Sequence, residues 1–151
     1  MQLNNTQKDN LYYLCYVVEM LGRQTKNRRK TIVDFLGREN IEFIYKNAEV
    51  MHCEAIDAVC DEFIEKCKIT DGDYDLSVYC KEKPPRALSI GKLYSRLILS
   101  LLKDEEDLIS KTIEVLSSWL VYEITNFNSS LYYSVLGYLT ECYLKGEILD
   151  Y

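Results

Sequence analysis

From Leu11 onward the apolar residues return with a period near 3.6, and they do so in one segment after another. Leu11, Leu14, Cys15, Val18 and Leu21 make the first stripe, widened by Tyr12, Tyr13 and Tyr16. Cys53, Ile56, Cys60, Phe63, Ile64 and Cys67 make another, with Glu54, Asp57, Asp61, Glu62 and Glu65 on the opposite side. The pattern recurs from Ile90 to Leu102, from Ile109 to Leu120 and from Leu131 to Tyr143. A chain patterned in this way has to bury helix faces against one another. The β-leaning runs do not compete: YLCYVV falls inside a helical stripe, and DLSVYC is short and flanked by turn signals. The expectation is all-α, one compact domain over 1–151, with six or seven helices in a bundle-like or orthogonal array.

Local signals divide the chain. Asn5 or Thr6 suits the start of a first helix and Gly22 its stop. Thr25 or Asn27 suits the start of a short second helix, with Ile32, Val33, Phe35 and Leu36 inward and Gly37 at its end. A third helix starts at Asn40, and the fourth carries the Cys53 to Cys67 stripe. TDGDYD at 70–75 is turn chemistry, and Pro84-Pro85 marks an irregular crossing before Ser89 opens the fifth helix. The acidic run 104–107 suits the N-terminus of a long sixth helix reaching Ile124, and the last helix ends at Gly146.

With 48% apolar and 28% charged residues the chain has the make-up of a folded domain rather than a disordered one. The opening MQLNNTQKDN lacks a signal-peptide pattern, and the longest apolar runs, such as LILSLL, fall short of the roughly 20 residues of a membrane span. These features point to a cytoplasmic protein with no membrane partner, its six cysteines reduced.

Against a net charge of -6, Arg23, Lys26, Arg28, Arg29 and Lys30 fall within eight residues, and no carboxylate follows them until Asp34. Between Ile41 and Asp75 the balance reverses, to ten acidic residues against three lysines. The basic stretch sits at a helix start, where the helix dipole adds to its charge, so an anion there, a phosphate or one of the protein's own carboxylates, relieves it. These five residues are the candidate anion or partner contact. As a helix-turn-helix (28–36, 37–39, 40–47) the region has the wrong sign, because its second helix carries Glu39, Glu42 and Glu49 against Lys46. Nucleic acid therefore ranks below a protein partner.

Other chemistry is sparse. Cys53, Cys60 and Cys67 recur every seven residues, about 10.5 Å apart along a helix, too far to share a zinc shell of ~2.3 Å bonds. His52, the sole histidine, points away from Cys53 on a helix. Asp71, Asp73 and Asp75 lack the glycine and glutamate of a calcium loop and read as a solvated turn. No nucleotide, metalloprotease or hydrolase motif is present, and no catalytic residue, metal ligand or cofactor is assigned. An enzyme of unfamiliar type needs a pocket gathering His52 or several carboxylates.

Thirteen tyrosines exceed what a small core hides easily, since a buried hydroxyl needs a partner. Tyr12, Tyr13, Tyr132 and Tyr133 are the candidate interface residues, for a protein partner or a second copy of the chain. The segment LYYLCYVVEMLGRQTKNRRKTIVDFLG, with IYKNAEVMHCEAIDAVCDEFIE after it, resembles small all-helical bacterial proteins of mobile-element or toxin-antitoxin-like gene clusters. The resemblance covers the first half of the chain and implies an accessory or neutralising partner of another protein. The expected function is a non-catalytic interaction module, with a nucleic-acid-binding regulator using 23–30 and an unfamiliar enzyme as the alternatives.

Overall fold

A computed structural model describes residues 2–150, and the helix on which the others pack is α1, Asn5–Thr25. Its N-terminus is closed by a capping box: the Asn4 side chain accepts from the Gln7 amide at 2.8 Å, and the Gln7 side chain accepts from the Asn4 amide at 2.9 Å. Leu11, Leu14, Cys15, Val17, Val18 and Leu21 are fully buried, so α1 is enclosed on most sides, while Tyr12, Tyr13 and Tyr16 are half-buried. It touches α2 (Arg29–Lys46), α3 (Ala48–Met51), α4 (Ile56–Cys67) and, most extensively, α6 (Ala87–Leu101). α5 (Leu76–Tyr79) lies in the crossing between α4 and α6. α7 (Leu108–Leu116), α8 (Trp119–Ile124), a 3-10 turn (Leu131–Tyr133) and α9 (Leu136–Lys145) complete an all-helical domain with no strand among the described residues.

Gly91 sets the closest approach in this core. A Cβ there would lie 2.9 Å from the Tyr16 Cα, so only glycine lets α6 reach α1 at this depth. α2 and α7 are tied at the surface by Arg38, which reaches the Asp107 carboxylate and Ser110 Oγ while bonding Glu42 in its own helix. Asp107 also caps α7 by accepting from the Ser110 amide at 3.0 Å.

Several boundaries differ from those the sequence suggests. α1 does not stop at Gly22; it runs one turn further, and Lys26 closes it in the left-handed region at φ 58. At Gly37 the backbone leaves helical geometry (φ 71, ψ 165), but the helix resumes at once, so the second and third expected helices are the kinked halves of α2. The long sixth helix is broken into α7 and α8 because Ser118 takes an extended conformation and caps α8, accepting from the Val121 amide. The residues from Leu131 make the 3-10 turn, and the last helix begins only at Leu136. Cys53 is exposed and precedes α4, so the three evenly spaced cysteines do not share one helical stripe. All six cysteines are free thiols. Among the described residues no helix is long and apolar enough to cross a membrane.

Candidate functional site

The basic stretch is not one surface. Glu19 is fully buried on α1, four residues beyond Cys15 on the helix face that enters the core, and Arg29 comes in to meet it. Arg29 Nε donates to Glu19 Oε1 at 2.8 Å and Nη2 to Oε2 at 2.7 Å, while Nη1 donates to the Asn27 carbonyl at 2.9 Å. Arg23 Nε adds a bond to Oε2 at 2.7 Å, and the buried Tyr94 hydroxyl of α6 one to Oε1 at 2.8 Å. The carboxylate's acceptor capacity is thereby filled. Burial pushes the Glu19 carboxyl up, yet the two guanidiniums beside it outweigh burial and hold it at about 2. The counter-anion that the helix start requires is therefore the protein's own. Arg29, 2% exposed, is removed from any docking role, and Arg23 is half consumed by the same carboxylate.

The remaining cations divide. Lys26 faces Asp75 at 3.9 Å, Lys30 is exposed, and Arg28 Cζ lies over the Tyr122 ring, 4.4 Å from its centroid. The sequence reads these five cations as one contact; the fold withdraws Arg29 into the core, ties Arg23 to Glu19 and leaves Lys26, Arg28 and Lys30 exposed.

The 70–75 turn is docked on the end of α1 and is not merely solvated. The Gly72 amide donates to the Thr25 carbonyl and the Tyr74 amide to the Lys26 carbonyl, both at 2.8 Å, and Asn27 Nδ2 donates to the Thr70 carbonyl at 2.9 Å. This docking inserts Tyr74 between Tyr79 and Tyr122, with ring centroids 5.8 Å and 5.7 Å away, and its hydroxyl meets Thr125 Oγ1 at 2.8 Å. The aromatic series continues along the segment after α8. Arg23 covers the Phe127 ring at 5.4 Å, Phe127 meets Tyr132 edge-on at 5.4 Å, and Tyr132 packs on Tyr133 at 4.3 Å. Asn128 fastens the two halves, donating to the Tyr79 carbonyl and accepting from the Lys81 amide. A depression of about 480 Å³ lies among Arg28, Tyr74, Tyr79, Tyr122 and Phe127. Tyr79 is 55% exposed and Tyr133 78%.

Of the expected interface residues, Tyr132 and Tyr133 thus join Arg28 on one face through Phe127 and Tyr122. Tyr12 and Tyr13 lie elsewhere, in a groove between α1, α3 and the start of α6 that also holds His52. His52 Nδ1 lies 3.2 Å from the Ala48 carbonyl of its own turn, and no cysteine or serine among the described residues lines that groove, so the imidazole has no thiol or serine hydroxyl to activate there. Among the described residues no group of three or more His, Cys, Asp or Glu side chains is placed to hold a metal ion. Tyr74, Tyr79, Tyr122 and Phe127 carried no sequence signal as a site, because the contact that gathers them, Tyr74 on Tyr122, joins segments 48 positions apart. Glu19 did carry one, as the single carboxylate between Leu11 and Leu21. No family model, curated protein or solved structure matches this chain.

Proposed function

We propose that this chain is a non-catalytic protein-binding module whose contact face is the aromatic and arginine surface from Tyr79 through Tyr122 and Phe127 to Tyr133. The observation that carries the reading is the exposed tyrosine series itself, held in place by Tyr74 beneath it and by Asn128 at its seam. Tyrosine and arginine give large contact area at low ordering cost, and they are the residue types enriched where interfaces concentrate their binding energy. Arg28 is exposed and its Cζ sits over the Tyr122 ring, which positions its charge for a carboxylate on a partner. The six unbridged thiols fit a reducing compartment such as the cytoplasm. The resemblance of the first half to proteins of mobile-element or toxin-antitoxin-like clusters fits an accessory or neutralising role toward another protein.

The test compares the wild type with Tyr79→Ser/Tyr133→Ser, both confirmed folded by circular dichroism, in affinity capture from the native host and in sedimentation at high concentration. A protein, or a second copy of the chain, retained by the wild type and lost by the variant supports the reading. A wild type that stays monomeric and recovers the same proteins as the variant overturns it.

A further inference from the structure

We propose that the tyrosine groove between α1, α3 and the start of α6 binds a small aliphatic amine, with its ammonium held by carboxylates at the rim and its methylene stem laid across the rings.

The groove is separate from the Tyr79 to Tyr133 face and arises from helix periodicity. Asp9, Tyr12, Tyr13 and Tyr16 stand at i, i+3, i+4 and i+7 on α1 and so share a face, and Glu49 and His52 face them from α3 and the turn after it. Tyr13 and Tyr16 meet edge to face, with centroids 6.5 Å apart and planes at 65°, so two ring faces border the same space at different angles. Gly91 fixes the depth by letting α6 close onto the Tyr16 backbone, which brings Leu88 to the groove. The half-open groove has a volume of about 380 Å³, in the range of small-molecule sites.

Its electrostatics select the ligand. No lysine or arginine lines the groove among the described residues, whereas Asp9 and Glu49 both do. Burial first, then Cys60 and Glu54, push the Tyr13 hydroxyl up to about 12, and burial, then Cys60 and Asp57, raise that of Tyr16, so both hydroxyls stay protonated. Aromatic faces attract cations and carboxylates complete the pairing, so the combination accepts an ammonium and repels an anion. A neutral apolar ligand gains from the rings but nothing from the rim. Aliphatic stem and ammonium together match both parts, which is why an alkylamine is favoured over an inorganic cation.

The experiment is an NMR titration of the wild type with hexylamine at neutral pH, with 1-hexanol and hexanoate as probes of the same stem. Hexylamine is expected to move the His52 and Tyr16 resonances saturably, with a Kd on the order of 1 mM for a ligand of this size. Hexanol should bind at least about tenfold more weakly if the rim charges contribute near 1.4 kcal/mol. Asp9→Asn/Glu49→Gln should weaken hexylamine by a similar factor and leave hexanol unchanged. Tyr13→Phe/Tyr16→Phe should keep the affinity because the ring faces remain, while Tyr13→Leu/Tyr16→Leu should lose it. Equal affinity for hexanol and hexylamine, an unchanged Kd in the carboxylate variant, or no saturable binding of hexylamine in the millimolar range overturns the assignment.

Discussion

Arg29 clamps Glu19 with two near-parallel hydrogen bonds, of 2.8 Å and 2.7 Å, at a point where neither side chain meets solvent. The pair fixes how α2 leaves α1. A basic residue at the first position of a helix opposes the helix dipole, and here the Glu19 charge offsets it from within the fold. Removing one member strands the other in the core, which typically costs about 3–5 kcal/mol. Replacing such a pair wholesale by apolar groups is often nearly neutral, so the cost of a single substitution reports the stranded charge and not the net worth of the pair.

Glu19→Gln is therefore expected to destabilise the fold by about 3–5 kcal/mol near neutral pH. The pH dependence follows from the sign of the shift. The folded carboxyl titrates at about 2, below the usual carboxylate value of 4.5, so its contribution is complete above 4.5 and is lost as pH falls through the folded value. Urea melts of the two proteins should differ most at pH 6–7 and converge between pH 4.5 and 2. A gap that persists undiminished at pH 3 would show that charge at Glu19 is not the cause.

Two glycines should respond to alanine with opposite signs. A Cβ on Gly22 would sit 2.6 Å from Arg29 Nη1 and 2.7 Å from its Cδ, against a guanidinium that has no room to retreat. Overpacking of this kind costs about 1–3 kcal/mol and outweighs the gain of up to about 1 kcal/mol in helix propensity. Gly137, in α9, is exposed, and a Cβ added there would meet nothing within 4 Å. Gly137→Ala should stabilise by up to about 1 kcal/mol, and Gly22→Ala should destabilise, as read from thermal melts.

The two buried tyrosine hydroxyls of α1 and α6 make a second contrast. Tyr94 donates to Glu19 at 2.8 Å, but the Tyr13 hydroxyl is buried with no hydrogen-bond partner. Tyr94→Phe breaks a bond to a charged acceptor and should cost about 1.5–3 kcal/mol. Tyr13→Phe removes a group whose desolvation was never repaid and should leave stability unchanged or raised by about 1 kcal/mol. Denaturant midpoints for the two variants, at equal m-values, decide this.

The helices were legible in the sequence because each buries a stripe that repeats within its own length, as Leu11 to Leu21 and Ile90 to Leu101 do. Their ends were less so. Gly22 reads as a stop, but its missing side chain serves Arg29 from another helix, a tertiary demand that no local pattern contains. Arg23, Lys26, Arg28, Arg29 and Lys30 are neighbours in sequence and look like one patch. A helix end, a turn and a helix start point them in different directions, toward Glu19, Asp75 and Tyr122. The Tyr79 to Tyr133 face was legible only in part: Tyr132 and Tyr133 stand out as a pair, whereas Tyr79 joins Tyr122 only through Tyr74, which the 70–75 turn docks on α1.

Thiol labelling offers a readout of the whole fold. Cys53 is exposed, Cys67 and Cys80 are half-buried, and Cys15, Cys60 and Cys142 are buried. Burial raises the Cys15 thiol and, with Asp57 and Asp61 beside it, pushes Cys60 up to about 12, so these groups hold almost no thiolate at ordinary pH while they stay buried. With a disulfide reagent at pH 8, one thiol should react rapidly, two more slowly, and three only through unfolding. Cys53→Ser should abolish the fast phase alone. Because the protected cysteines lie on α1, α4 and α9, their slow labelling should follow one common rate if the helices open as a unit, and should slow in proportion as stability rises in Gly137→Ala. Separate rates for Cys142 and Cys15 would instead mark α9 as opening on its own.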